Sequence, residues 1–200
     1  MQAISQQHIL IETKKKSMSG SDYFAKNNLD FREWDVLCRT CILLERYNEF
    51  SPTFATQNLH PDFLAYNDRK EPIAPIEITE VIRPGYKRGA FWRTGDPEYY
   101  PGYDGVDSVT NPWDLLQIAI SKKQTKNYAE GSWLIIYYDI GRMSFEDFET
   151  PFDIQLLAQH SKKPFVGVSI FEKVLVLSAD MNSLVELYPS PHTIAPDTNK

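Results

Sequence analysis

The sequence predicts an α/β fold in which a central sheet is flanked by helices. Apolar residues recur at helical spacing between positions 30 and 48, which indicates a helix with one buried face. Strand-like runs follow between positions 53 and 82. The segment from Trp133 to Tyr138 is continuously apolar, which is typical of a central strand covered on both faces. Helices and strands in this order are expected to pack as layers around one sheet.

The first element is a helix from Asp30 to Asn48, and its buried face is expected to consist of Phe31, Trp34, Leu37, Cys38, Cys41 and Leu44. Three strand candidates come next, Thr53 to Thr56, Asp62 to Tyr66 and Ile73 to Ile82. Pro75 lies near the start of the third candidate and indicates an edge or a bulge there, because proline cannot donate to a strand ladder.

A second helix is predicted to begin at Asn111, which can cap it, with Pro112 in its first turn and Gly131 just past its end. The central strand follows this helix. The remaining predicted elements are a short helix and two closing strands, at Phe152 to His160, Phe165 to Phe171 and Val174 to Ser178.

The domain organisation predicted from this order is a single domain over residues 23–187. Residues 1–22 are expected to be a flexible lead-in, and residues 188–200 a frayed tail that carries three prolines. The segment 83–111 is expected to be a long loop, and loops of this length inside a domain are often functional. The net charge of −6 argues against a broadly basic surface for nucleic acid, but it permits a local basic groove.

Two cysteines, Cys38 and Cys41, are separated by two residues inside the first predicted helix. A zinc site would need two further ligands, and the sequence has no second cysteine pair to supply them. We therefore expect buried free thiols, which suit a cytoplasmic protein. No apolar run reaches the roughly 20 residues of a membrane span, so no membrane partner is expected.

Two segments that each contain an acidic residue are the strongest indication of function in the sequence. Pro61-Asp62-Phe63-Leu64 and Ile76-Glu77-Ile78-Thr79-Glu80 place one carboxylate in each of two neighbouring strand candidates, which a short polar loop joins. Two such carboxylates can share one hard cation. The alternative is that each acid faces solvent, since Pro-Asp is a common dipeptide that occurs again at Pro196-Asp197.

These segments resemble the Pro-Asp and Glu-x-Lys strands of the PD-(D/E)XK nuclease superfamily, over roughly residues 30–140. The resemblance implies a restriction-endonuclease-like core with a central mixed sheet flanked by helices. It also implies that Asp62, Glu77 and the carbonyl of Ile78 bind Mg²⁺ or Mn²⁺. Thr79 departs from the pattern, because it stands where the family has lysine and cannot carry a charge.

Two further residues are implied by the same resemblance. Some members place the lysine on the next helix, and Lys123 is the first choice here, with Lys122 and Lys126 in reserve. The family often uses an acid from the first helix, which points to Glu33. The spacing of Asp30 and Glu33 is equally consistent with a capping box, in which Glu33 has only a structural role.

Two segments are candidates for nucleic-acid binding. Cations alternate with aromatic residues in the segment 83–93, where the cations are Arg83, Lys87, Arg88 and Arg93. Gln124 and Tyr128 resemble the Gln-x-x-x-Tyr element of the RecB-like branch, and helical spacing would place them in one polar stripe with Gln117 and Ser121. The alternatives are an acidic protein partner for the loop and a solvated surface for the helix.

The function expected from the sequence is a metal-dependent nuclease that hydrolyses phosphodiester bonds, with DNA favoured over RNA. The alternative is a catalytically inactive protein of the same fold that binds a protein or a nucleic acid. The acidic net charge and Thr79 favour this alternative. Oligomeric state is not indicated by the sequence.

Overall fold

The computed structural model describes residues 1–18, 28–81, 112–138, 170–178, 182–188 and 192–195 of the chain. Its elements are β1 (Gln2–Ala3), α1 (Ile4–Lys15), α2 (Leu29–Arg46), β2 (Phe54–Gln57), β3 (Phe63–Tyr66), β4 (Pro72–Val81), α3 (Pro112–Gln124), β5 (Trp133–Tyr138), β6 (Lys173–Leu177), β7 (Leu184–Tyr188) and β8 (His192–Ala195). The predicted α/β class is confirmed.

The strands of the described residues form one 8-stranded sheet whose spatial order follows the chain from β1 to β8. β5 pairs in parallel with both β4 and β6, whereas the other neighbouring pairs are antiparallel. The sheet is therefore mixed. Ile135 and Ile136 on β5 are both fully buried, although they point to opposite faces. This confirms the prediction of a central strand covered on both sides.

The two faces of the sheet carry separate apolar cores. α1 and α2 cover one face, where Ile76 and Ile78 of β4 pack with Leu37 of α2. α3 covers the other face, where Val81 packs with Leu116 and Ile120. Since side chains alternate along a strand, Glu77 and Thr79 share the face of Val81 and point toward α3.

Helix α2 confirms the first predicted helix, although it ends at Arg46, two residues before the predicted end at Asn48. Asn48 has a positive φ of 59°, which takes the chain out of the helix. Cys38 and Cys41 are buried free thiols, as predicted. Burial raises the pKa of both thiols, that of Cys41 to about 12, so neither is a reactive thiolate.

The N-terminal prediction is wrong for the residues that the structure describes. Residues 1–18 contain β1 and α1 instead of a flexible lead-in. Ile4 and Ile11 are buried against α2, and Lys15 donates to Asp35 at 2.9 Å. Two buried apolar residues and two ion pairs, Lys15–Asp35 and Glu12–Arg39, hold the helix against α2, and two buried positions give little periodic signal in the sequence.

The tail prediction is also wrong in part, because β7 extends to Tyr188 and β8 adds a further strand at His192–Ala195. Ile194 is buried and anchors β8 to the core beside α2. The predicted helix 152–160 and residues 83–111 lie outside the described residues, as does most of the predicted strand 165–171.

Helix α3 ends at Gln124 and does not continue to Gly131 as predicted. The hydroxyl of Thr125 donates to the carbonyl of Lys122, and the amide of Lys126 donates to the carbonyl of Lys123. These bonds close a turn, and a threonine side chain that bonds to backbone competes with helix continuation. No helix in the described ranges has both the length and the apolar character needed to cross a membrane.

Candidate active site

Asp62 is fixed to strand β4 by a backbone hydrogen bond. β3 begins at Phe63, which pairs with Ile76, so continuing the antiparallel register would place Pro61 opposite Ile78. Proline has no N–H to offer, and the ladder ends at this point. The Oδ2 atom of Asp62 accepts the N–H of Ile78 at 2.7 Å. Asp62 therefore lies along the edge of β4 that faces β3, immediately beyond the last residue pair of these two strands.

Lys123 reaches the same edge of β4 from helix α3. Its Nζ donates to Oε2 of Glu77 at 2.9 Å and to the carbonyl oxygen of Ile78 at 3.3 Å. The N–H and C=O of one strand residue point to the same side of the strand, because paired residues exchange both bonds. Asp62 and Lys123, which bond to these two groups of Ile78, therefore approach β4 from one side.

Glu77 is buried, with 2% of its surface exposed, so the alternative of a solvent-facing acid is wrong for this residue. Its Oε2 atom is paired with Lys123, but its Oε1 atom is buried and makes no hydrogen bond within the described part of the chain. A buried carboxylate oxygen without a donor is unfavourable. Lys123 therefore pairs with only one of the two carboxylate oxygens of Glu77.

The charges at this site affect one another. Burial raises the pKa of Asp62, and the charge of Glu77 raises it further. The hydrogen bond from the Ile78 N–H and the charge of Lys123 lower this pKa. Burial alone would lower the pKa of Lys123, but the hydrogen bond and charge of Glu77 outweigh burial and raise it. Lys123 is therefore a cation at neutral pH, and the two carboxylates lie close enough to repel each other.

Glu33 lies beside this group, in the first turn and a half of α2. The helix begins at Leu29 with Asn28 at its cap, so Asp30 is inside the helix and the capping-box interpretation is wrong. Instead, Oε2 of Glu33 accepts a hydrogen bond from Nε2 of Gln57 at 3.3 Å. Burial and the charge of Asp62 raise the pKa of Glu33 to about 7. The structure thus brings Glu33 into the neighbourhood of Asp62.

Among the three lysines proposed in the sequence, only Lys123 is partly buried at the site, while Lys122 and Lys126 are exposed. Leu116, Ile120 and Lys123 are spaced by four and three residues, so they share the face of α3 that meets the sheet. Thr79 is half-buried two residues after Glu77, on the same face of β4. Lys123 supplies on this face the charge that Thr79 lacks.

Tyr128 is not part of a helical stripe with Gln117, Ser121 and Gln124, because the helix ends before it. Its ring packs against Phe171, with ring centroids 5.1 Å apart, and lies 5.9 Å from Nζ of Lys123. The Tyr128 hydroxyl is buried near Lys123 and Glu77 but makes no well-formed hydrogen bond among the described residues, and burial raises its pKa whereas the charge of Lys123 lowers it. Tyr128 therefore borders the Lys123 side of the site, and Gln124 is half-buried at the end of α3.

The proposed basic residues Arg83, Lys87, Arg88 and Arg93 lie outside the described residues. Gln57 was not among the predicted site residues, and Trp34 was predicted only as part of the buried face of the helix, although Gln57 bonds to both Glu33 and Trp34. The pairing of β2 with β3 would have indicated Gln57, because Gln57 pairs with Phe63, the residue that follows Asp62 in the sequence.

The oxygen atoms at the site are suitable ligands for a hard cation. In the described ranges, no three His, Cys, Asp or Glu side chains converge closely enough to hold a metal ion by themselves. Asp62, Glu77 and the Ile78 carbonyl nevertheless offer oxygen ligands, and Glu77 Oε1 accepts no hydrogen bond from the residues that the structure describes. Mg²⁺ prefers oxygen ligands and keeps several of its waters, so it does not need a complete protein cage.

Comparison with known proteins identifies no relative of this chain. No family model matches the sequence, and neither a curated protein nor a solved structure is significantly similar to it.

Proposed function

We propose that the protein is a divalent-metal-dependent nuclease with a restriction-endonuclease-like core, which hydrolyses phosphodiester bonds of DNA. The observation that supports this proposal most strongly is the position of Lys123. Its ammonium lies on Glu77 and on the Ile78 carbonyl, at the edge of β4 where Asp62 is bound. Two carboxylates, a carbonyl and a lysine at one strand edge match the residue types expected of such a nuclease.

Asp62, Glu77 and the Ile78 carbonyl would hold the metal, which is Mg²⁺ or Mn²⁺ in this proposal. A bound metal of this kind polarises a phosphoryl oxygen and lowers the pKa of a bound water. The Oε1 atom of Glu77, which has no hydrogen-bond donor among the described residues, and the hard oxygen ligands support this assignment.

The remaining residues act on the proton and on the phosphate. The pKa of Glu33, at about 7, allows its carboxylate to accept a proton from water near neutral pH. The Lys123 ammonium is available to stabilise negative charge that builds on the phosphate. Thr79, on the same face of β4, can donate a hydrogen bond but adds no charge.

DNA is the proposed partner, and contact with it must be local because the chain has a net charge of −6. Arg83, Lys87, Arg88 and Arg93 follow soon after β4 in the sequence and are assigned to the phosphate backbone. Gln124 and Tyr128 border Lys123 and are assigned to the nucleotides next to the scissile bond. Reduced buried thiols at Cys38 and Cys41 suit a cytoplasmic location.

A second candidate is an inactive protein of this fold that binds a protein or a nucleic acid. The observation that favours it is the lack of three converging metal-ligating side chains in the ranges that the structure describes. The neutral Thr79 in the usual lysine position also favours it. This candidate predicts that neither Mg²⁺ nor Mn²⁺ binds at millimolar concentration.

The two candidates are separated by an assay of DNA cleavage. The purified protein is incubated with single-stranded and double-stranded DNA, with Mg²⁺, with Mn²⁺ or with a chelator. The nuclease proposal predicts cleavage that requires the cation and is abolished in Glu77→Gln. Glu130→Gln, which changes an exposed acid in the turn before β5, is the matched control and should cleave normally. Cleavage that survives both the chelator and Glu77→Gln would reject the proposed site.

A further inference from the structure

Gln57 makes two hydrogen bonds that join the end of β2 to the start of α2. Its Oε1 accepts the indole N–H of Trp34 at 2.8 Å, and its Nε2 donates to Oε2 of Glu33 at 3.3 Å. Gln57 is also the partner of Phe63 in the sheet, and Phe63 directly follows Asp62. Gln57 therefore bonds to the acid of the helix, and its backbone lies beside the residue that follows Asp62.

The chemistry of Trp34 fixes which way the Gln57 amide faces. An indole N–H can only donate, so the atom that meets it must be the amide oxygen. The NH₂ group then has to face Glu33. Gln57 consequently presents a donor to Glu33 whether that carboxyl group is protonated or ionised.

Trp34 is a rigid support for this arrangement. It is 7% exposed, and its ring packs edge-on against Phe63 with centroids 4.7 Å apart. Trp34 directly follows Glu33 in α2, so two consecutive residues of one helix are the partners of Gln57. A glutamine held by a packed indole loses little further freedom when it binds a carboxylate, because its side chain is already ordered.

We infer that Gln57 is a positioning residue for the reaction: anchored to Trp34 through its amide oxygen, it holds Oε2 of Glu33 and leaves Oε1 of Glu33 as the proton-accepting atom. This inference rests on the proposed nuclease function. It adds a residue that no motif indicates, and it explains how an acid on helix α2 is held near Asp62, the residue before strand β3.

The charges around Glu33 define what the loss of Gln57 would do. Burial of Glu33 raises its pKa, and so do the neighbouring acids Asp62 and Asp30, whereas the Gln57 hydrogen bond and Arg32 lower it. Without the Gln57 donor, the Glu33 carboxyl would be held less firmly and would gain a proton more readily. Both changes would reduce the fraction of molecules in which Glu33 can accept a proton from correctly placed water.

The test compares Gln57→Glu with Gln57→Met, and Gln6→Met on the exposed surface of α1 is the matched control. Gln57→Glu keeps an oxygen acceptor for Trp34 but, when ionised, has no donor for Glu33 and adds a like charge beside it, whereas Gln57→Met loses both bonds. DNA cleavage rates, Mn²⁺ affinity by calorimetry and the Glu33 carboxyl titration by ¹³C NMR are measured for each. The Trp34 indole N–H resonance reports whether that anchor is kept.

A positioning role predicts that both substitutions of Gln57 lower kcat by about 10- to 100-fold, with little change in KM or Mn²⁺ affinity. The pH profile should shift to higher pH together with the Glu33 titration. A purely structural role instead predicts near-normal turnover in Gln57→Glu, since Trp34 remains paired. That result, or an unchanged Glu33 titration in both variants, would overturn the assignment of Gln57 while leaving the nuclease proposal intact.

Failure of the proposed function looks different. A wild-type protein that cleaves no nucleic acid with either cation would reject the nuclease and, with it, any role of Gln57 in the reaction. Active wild-type protein with normal Gln57→Glu turnover would reject only the inference about Gln57.

Discussion

The Nζ atom of Lys123 lies 2.9 Å from Oε2 of Glu77, and this ion pair joins helix α3 to strand β4. Only 3% of the Glu77 side chain and 15% of the Lys123 side chain are exposed. The pair is therefore largely removed from water, and removing one partner leaves the other charge buried without compensation. The same contact is both a structural link and the centre of the proposed site.

Replacing Lys123 with methionine should reduce stability and activity together. We expect Lys123→Met to lower the free energy of unfolding by about 3 kcal/mol, because Glu77 would lose its partner. DNA cleavage should fall by about 100-fold or more, since a preorganised donor to the phosphate is lost. Denaturant unfolding and cleavage rates measure the two effects.

The matched control for this change is Lys122→Met, because Lys122 is exposed on the neighbouring position of the same helix. It should change stability by less than about 0.5 kcal/mol, as is usual for surface sites. Equal effects of the two substitutions would show that Lys123 has no special role.

Replacing Asp62 with asparagine should separate stability from metal binding. Asparagine keeps an oxygen that can accept the Ile78 N–H, but it removes one of the carboxylate charges that surround Lys123. Without metal, Asp62→Asn should raise the free energy of unfolding by about 1 kcal/mol, because burial and the charge of Glu77 disfavour the ionised Asp62 carboxylate in the folded protein. With Mn²⁺ at about 100 times its Kd, wild-type protein should gain about 2.7 kcal/mol, and the variant should gain none.

Asp68→Asn serves as the control for this experiment, because Asp68 is exposed in the turn between β3 and β4. It should retain the stabilisation by Mn²⁺. If Asp62→Asn retains it as well, Asp62 does not bind the metal.

The raised pKa of Glu33 predicts how stability varies with pH. Its pKa is about 7 in the folded protein against an ordinary value of 4.5. Between these values the folded state binds more protons than the unfolded state, so stability falls as pH rises through this window. Glu33→Gln should remove this slope, so the difference in unfolding free energy between about pH 5 and about pH 8 should shrink.

Urea unfolding at both pH values measures this effect, with Glu130→Gln as a control that should keep the wild-type slope. Glu33 is half-buried, so solvent screens its charge, and the test is of the sign of the change. An identical pH dependence in Glu33→Gln would mean that Glu33 ionises normally.

Gly131 tests how the chain enters the central strand. Its φ is +77°, and a Cβ atom there would lie 3.3 Å from Oε2 of Glu172. Gly131→Ala should therefore destabilise the protein by about 1 kcal/mol or more, because an L-residue is strained at positive φ. Thermal unfolding measures the change. No loss of stability would contradict the described entry into β5.

The parts of the structure that the sequence predicts best are those with a strong apolar pattern. β4 and α2 were predicted from apolar residues at strand and helix spacing, and β5 from its continuous apolar run. Lys123 was predicted from the family resemblance alone, and in the structure it lies on the same face of α3 as the buried residues Leu116 and Ile120.

The features that the sequence did not predict also have physical explanations. Helix α1 carries few buried residues, and the end of α3 depends on the hydroxyl of Thr125, a local bond that periodicity does not reveal. Gln57 belongs to no motif, and its role arises only when β2 and β3 pair. Positions defined by tertiary contacts of this kind are accessible only from the fold.

The most direct test of the proposed site is the anomalous diffraction of crystals soaked in Mn²⁺. We predict one strong anomalous peak in contact with the carboxylates of Asp62 and Glu77 and with the carbonyl oxygen of Ile78. Crystals soaked at millimolar Mn²⁺ that show no peak there, with Lys123 still bound to Glu77 and Ile78, would contradict the proposal that these two acids share a metal ion.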